Sequence, residues 1–130
     1  HVIRHISLTI ERPSAEVYEF AGNPANLPLW AAGLGLGIER DGERWKVRTP
    51  DGFVRLRFAE RNAWGVMDHT VELPNGSEVY VPFRVTANGT GSEVTLTLLR
   101  QPEMDDAAFD RDAELMRLDL LKLKEVVERR

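Results

Sequence analysis

The chain has 130 residues, of which 42% are hydrophobic, and a formal net charge of −4. That length suits one domain over residues 1–130 with a single core, and the acidic balance opposes a phosphate-binding surface, so nucleic acid is not an expected partner. The absence of cysteine excludes disulfides and thiolate chemistry. With no apolar run of about 18 residues and no leader-like segment, the expectation is a cytoplasmic protein with no membrane span.

From Val2 to Glu11, Ile6, Leu8 and Ile10 alternate with polar residues, the period-two pattern of a half-buried first strand. Pro13-Ser14 opens a short helix carrying Val17, Tyr18 and Phe20. Asn23-Pro24 then pairs an N-cap with a proline at the first helical position, which predicts a second short helix ending near Gly33. Turn signals follow at Asp41-Gly42, Asp51-Gly52, Arg61-Asn62, Asn75-Gly76 and Asn88-Gly89-Thr90-Gly91. Five turns in series predict six strands in a meander.

Loop length dictates register, and paired residues must share a face. Two-residue loops at Asp41-Gly42 and Asp51-Gly52 set Ile38 opposite Trp45, Trp45 opposite Phe58, and Val47 opposite Leu36 and Leu56. A four-residue loop from Arg61 to Trp64 sets Phe58 against Met67 and Leu56 against His69. Three loop residues at Pro74-Asn75-Gly76 set His69 against Val81, and the last turn sets Val85 against Val94 and Phe83 against Leu96. One face is therefore apolar throughout. The other collects Arg44, Lys46, Arg48, Arg55, Arg57, Glu78 and Arg84, as a solvated sheet surface does. After Pro102 the period changes to that of a helix capped by Asp105 or Asp106, with Phe109, Ala113, Met116, Leu120, Leu123 and Val127 on one stripe. Over residues 105–128 it would be about 36 Å long, so the sheet must curl around it.

This order of elements resembles the helix-grip fold of the START-like (SRPBCC) superfamily, and most closely its polyketide cyclase/dehydrase-like branch. The marks are Asn26-Leu27-Pro28-Leu29-Trp30-Ala31-Ala32-Gly33-Leu34, Gly65-Val66-Met67-Asp68-His69, Val81-Pro82-Phe83-Arg84-Val85 and Asp119-Leu120-Leu121-Lys122-Leu123-Lys124, and the resemblance runs along nearly the whole chain. It implies an α+β fold in which a seven-stranded curved antiparallel sheet wraps a long C-terminal helix, with two short helices between strands 1 and 2. It also implies a cavity between sheet and helix. Superfamily members include lipid carriers as well as cyclases, so the resemblance brings no fixed catalytic set.

His69 is the ionisable group that the register places on the inward face, between Met67 and Val71. There it either serves as general base, or donates to a bound carbonyl or hydroxyl, or is a structural histidine held by backbone or water. Asp68 should point outward, so an Asp68–His69 catalytic pair would need a bulge. Trp30, Trp45, Phe58 and Phe83 offer flat apolar surfaces, and Met67 and Met116 adaptable ones, either to fill the core or to line a small-molecule cavity. With His69, Val81 and Leu120 they form the expected ligand wall. Gly33-Leu34-Gly35-Leu36-Gly37 follows a helix and enters a strand, the reverse of a dinucleotide loop. Histidines 1, 5 and 69 lack metal-ligand spacing on any one element, and serines 7, 14, 77 and 92 lack the setting of a nucleophile. No metal or other cofactor is expected. The reading is a binder of a small apolar or aromatic molecule, lipid or polyketide-like. The alternatives are a metal-free cyclase or dehydratase using His69, or a protein-interaction module resembling the co-chaperone relatives of the fold.

Overall fold

The computed structural model describes residues 2–31, 37–49 and 52–130. Strand β1 (Ile3–Ile10) leads to helix α1 (Ser14–Ala21), a 3-10 turn (Pro24–Asn26) and helix α2 (Leu27–Trp30). Strands β2 (Ile38–Asp41), β3 (Arg44–Thr49), β4 (Gly52–Phe58), β5 (His69–Glu72), β6 (Glu78–Val81), β7 (Phe83–Asn88) and β8 (Gly91–Leu99) follow, and α3 (Asp106–Glu128) closes the chain. Asn23 caps the 3-10 turn by accepting from the Ala25 N–H, with Pro24 behind it as the sequence predicts. The second helix ends at Trp30. Its expected end near Gly33, and the pairing of Leu36, lie outside the described residues.

All strand pairs are antiparallel, but the described residues form eight strands in two sheets rather than seven in one: β1-β8-β7 and β2-β3-β4-β5-β6. The strand expected to run unbroken through Val81-Pro82-Phe83 is cut at Pro82, which has no N–H to give to a ladder. The cut is a bend, because Val66 bridges to Arg84 in the register that joins His69 to Val81. Across the bend, the Thr97 N–H bonds the Pro82 carbonyl at 2.9 Å.

The last two hairpins have the expected register, with His69 opposite Val81, Val85 opposite Val94 and Phe83 opposite Leu96. The first three differ by two residues. Ile38 pairs with Val47, Trp45 with Leu56, Val47 with Val54, and Phe58 with His69, in place of Ile38–Trp45, Trp45–Phe58, Val47–Leu56, Phe58–Met67 and Leu56–His69. A slip of two keeps every side chain on its face, so the apolar wall survives. At the first hairpin Gly42, with φ of +63°, is the first loop residue and Asp41 stays in the strand, the arrangement of a turn that wants glycine at its first central position.

Asp105 caps α3, its carboxylate accepting from the Ala108 N–H at 2.7 Å. Phe109, Ala113, Leu120, Leu123 and Val127 are buried, and Met116 packs beside them. On the outer face Arg44 pairs with Glu72, Arg55 with Asp41 and Arg57 with Glu78, and Lys46 lies 4.0 Å over the Phe53 ring.

The connection from β4 to β5 leaves one sheet to bond the other. Met67 N–H donates to the Phe83 carbonyl and Val85 N–H to that of Gly65. Asn62 pins the loop: its Nδ2 donates to the Glu60 and Val66 carbonyls, and its Oδ1 accepts from the Trp64 and Val66 N–H groups. Gly65 has φ of +71°, and a Cβ there would run into the Val85 carbonyl. We expect Gly65→Ala to lower stability by roughly 1–3 kcal/mol, read as a reduced urea midpoint at unchanged denaturant slope.

Candidate functional site

The inward wall is built in rows. One row runs Phe58–His69–Val81 across β4, β5 and β6, and its neighbour runs Ile6–Leu96–Phe83 across β1, β8 and β7, with Met67 bonded to Phe83. The His69 ring lies 5.0 Å from Phe58 and 6.5 Å, edge to face, from Phe83. From α2, Trp30 reaches the same Phe83 ring at 5.6 Å. Met67, Val81, Phe83, Trp30 and Leu120 are buried in one apolar cluster, against which Trp45, Phe58 and Met116 pack half-buried. Trp45 stands one row further out, opposite Leu56, with the Arg40 guanidinium 5.4 Å over its ring.

Two polar groups interrupt this wall. His69 Nδ1 is 3.3 Å from the Met67 carbonyl; since a carbonyl only accepts, Nδ1 carries the proton and a neutral ring keeps its Nε2 lone pair. Burial pushes this imidazole below its ordinary pKa, against the smaller opposing pulls of the Met67 carbonyl and the Asp68 charge. The second group is the Trp30 indole. Among the described residues its Nε1 is the buried side-chain polar atom with no hydrogen-bond partner.

Asp68 points to the outer face, as strand alternation requires, but is only 3% exposed. Its Oδ1 accepts from the Phe83 N–H at 2.9 Å, and its carboxylate also takes the Tyr80 hydroxyl and the Arg84 guanidinium. Burial alone would raise the Asp68 pKa; the bonds from Arg84, Tyr80 and Phe83 outweigh it and hold the carboxyl below its usual value. Sequence reasoning missed this cluster. Its signal was present, since the Val81–His69 register sets the acid of Asp68 across from the missing donor of Pro82.

The described residues also form surface clefts away from the expected wall. One, of about 470 Å³, lies between α1 and β7, with Tyr18, Arg61, Trp64 and Thr86 in its lining. Another runs between α1 and the end of α3, beside Phe20, Asn26 and Val127. Neither is lined by a residue of the predicted wall.

No protein-family model matches the chain, and neither does any curated protein sequence. Solved structures do. XoxI from Bacillus cereus superposes with a TM-score of 0.78 at 15% identity, over 98% of this chain and 96% of its own. The Aha1 dimer from Colwellia psychrerythraea gives 0.76 at 17% identity, over 98% and 97%. The fold is helix-grip-like. A third helix-grip-like relative, the di-domain ARO/CYC BexL from the BE-7585A biosynthetic pathway, gives 0.75 at 20% identity over 98% of this chain, which spans 47% of BexL. At such identities the likeness carries the fold and leaves activity open. No described helix is long and apolar enough to cross a membrane.

Two outcomes follow from the charges. Because the Asp68 carboxyl is held below its unfolded pKa of about 3.9, its stabilisation is present above that value and is lost as pH falls through the lower folded one. Asp68→Asn should therefore cost about 1–3 kcal/mol at pH 7, with the variant and wild-type unfolding curves converging in acid. For His69 the folded pKa is also lowered, so the unfolded chain binds its proton first. Stability should fall as pH drops below about 6.5, and His69→Gln should flatten that slope in chemical denaturation at stepped pH.

Proposed function

We propose that the protein binds one small, largely apolar or aromatic molecule bearing a carbonyl or hydroxyl oxygen, held between the sheet and α3. Trp30, Trp45, Phe58, Met67, Val81, Phe83, Met116 and Leu120 supply the apolar contact. His69 and the Trp30 indole N–H supply the polar ones. The observation that carries this reading is the buried, unpartnered indole N–H of Trp30 against the ring that His69 also touches. A donor left unsatisfied in an apolar interior costs about 1–3 kcal/mol, and an oxygen on a ligand would remove that cost. The presence among the structural relatives of a di-domain ARO/CYC protein from a biosynthetic pathway supports an enclosed polyketide-like or aromatic ligand.

The same geometry favours one second reading. A neutral His69 with Nδ1 anchored and Nε2 unprotonated is set up to accept a proton from a substrate, as a cyclase or dehydratase would require. The two readings separate on His69→Ala: loss of turnover with affinity kept within severalfold marks the enzyme, and parallel loss or retention of both marks the binder.

The binding reading is tested by native mass spectrometry of protein purified from cells, which should show a mass excess of one small molecule that leaves on denaturation. Trp30→Phe keeps the ring stack and removes the donor. It should change the stability of the ligand-free protein little, the removed unsatisfied donor offsetting the lost indole volume, while weakening the recovered ligand about tenfold, the equivalent of one hydrogen bond of about 1.4 kcal/mol. A variant that binds as tightly as wild type would remove Trp30 from the site.

A further inference from the structure

Helix α3 gives one face to the core, and the opposite face is not the uniform charge a solvated helix presents. Leu115, Leu118 and Leu121 are 53%, 48% and 38% exposed there. With about 3.6 residues per turn, Leu118 lies on the reverse of the Phe109–Leu120–Val127 stripe. A lone exposed leucine is unremarkable; three at three-residue spacing on one helix face form a patch.

The flanking charges indicate what covers it. Consider a second α3 laid antiparallel, with Leu118 meeting its own copy. Residues equally far before and after Leu118 then stand at the same height on the two helices. Four residues away, Glu114 meets Lys122, and seven away, Arg111 meets Glu125; both pairs are of opposite sign. Steps of four and seven return to within about 40° of the helix mid-line, so these pairs border the leucines directly. Leu115 and Leu121, three residues from Leu118, stand at one height between it and the Glu114–Lys122 pair, one to either side of the mid-line. A parallel, in-register pair would instead set each charge against its like. The four charges sum to zero, so the face carries none of the repulsion that the net charge of −4 implies for the molecule as a whole.

We propose that this face of α3 is the contact between two copies of the chain, packed antiparallel about a two-fold axis at Leu118. Such an interface is isologous and closes at the dimer. Within one copy Glu114 pairs with Arg117, and Glu125 with Lys122 and Arg129; exposed pairs of this kind are individually weak, so they yield to cross-helix partners. A single helix pair buries less than the roughly 1,200 Å² of a stable interface, so the dimer is weak and reversible, with association on the order of 100 μM.

Sedimentation velocity across a concentration series to about 1 mM, at low salt, tests this. Wild-type protein should shift from monomer to dimer and stop there, the shift weakening in high salt. Leu118→Glu sets two like charges on the axis and should hold the chain monomeric throughout, with an unchanged thermal melt. Glu114→Lys should weaken association about tenfold, and adding Lys122→Glu should restore it, because the pair is then reversed rather than lost. Wild type that stays monomeric at the highest concentration overturns the proposal and leaves the face to a different partner. So does a dimer that persists in Leu118→Glu, or a double charge reversal no better than the single one.

Discussion

A carboxylate opposite a proline governs this architecture. The hairpin that runs from Gly65 to Glu72 and back from Glu78 to Val85 keeps one register throughout, yet Pro82 sits within it with nothing to donate. Proline inside a ladder is tolerated at a bend, and here the bend passes the chain from the five-stranded sheet to the three-stranded one. Asp68 makes the passage stable. Four hydrogen bonds, one each from Phe83 and Tyr80 and two from Arg84, converge on its two oxygens from both sides of the proline. A carboxylate so buried is costly in isolation and becomes favourable only when its lone pairs are filled.

The consequence reaches the opposite side of the sheet. Met67 and Phe83 stand where an antiparallel pair exchanges two backbone bonds; Met67 N–H goes to Phe83, while Phe83 N–H goes to Asp68. The Met67 carbonyl is thereby left for His69 Nδ1. Asp68 and His69 are neighbours pointing to opposite faces, so the acid does not touch the imidazole, yet it determines which backbone oxygen holds the ring. An Asp–His couple thus acts here through the strand rather than by direct contact, and without the bulge that a direct pair would need.

Much of this was legible in the sequence, and the exceptions share a cause. The stripe of α3 and its Asp105 cap follow from period and capping chemistry alone. The turn at Asn88-Gly89 fixed its register because Gly89, with φ of +61°, occupies the loop as the motif demands. At Asp41-Gly42 the glycine likewise opens the loop and the acid ends the strand, against the expectation that the dipeptide itself is the loop, and at Arg61–Trp64 the chain departs to bond β7 before β5 begins. In both, a dipeptide signal gives the place of a turn without saying which residues make up its loop. The slips are of two residues because burial permits no odd ones, and so the wall of Phe58, His69, Val81 and Phe83 was readable although several partners were not. Asp68 was not readable as a buried anchor, since alternation reports which face a side chain takes and says nothing of which donors await it there.

The distribution of satisfied and unsatisfied polarity separates the two faces. Outside, cations and acids are matched across strands, and even Phe53 is covered by Lys46 and Arg48. Inside, an indole N–H has no partner among the described residues, and an imidazole is pushed toward neutrality by its surroundings. With net stabilities of only about 5–15 kcal/mol available to a domain, a buried donor left unsatisfied at a cost of about 1–3 kcal/mol is a sizeable fraction of the total. Trp30 and His69 reach the same Phe83 ring from different elements, one from α2 and one from β5. Their polarity is therefore concentrated at one place in an otherwise apolar interior, around a single aromatic ring.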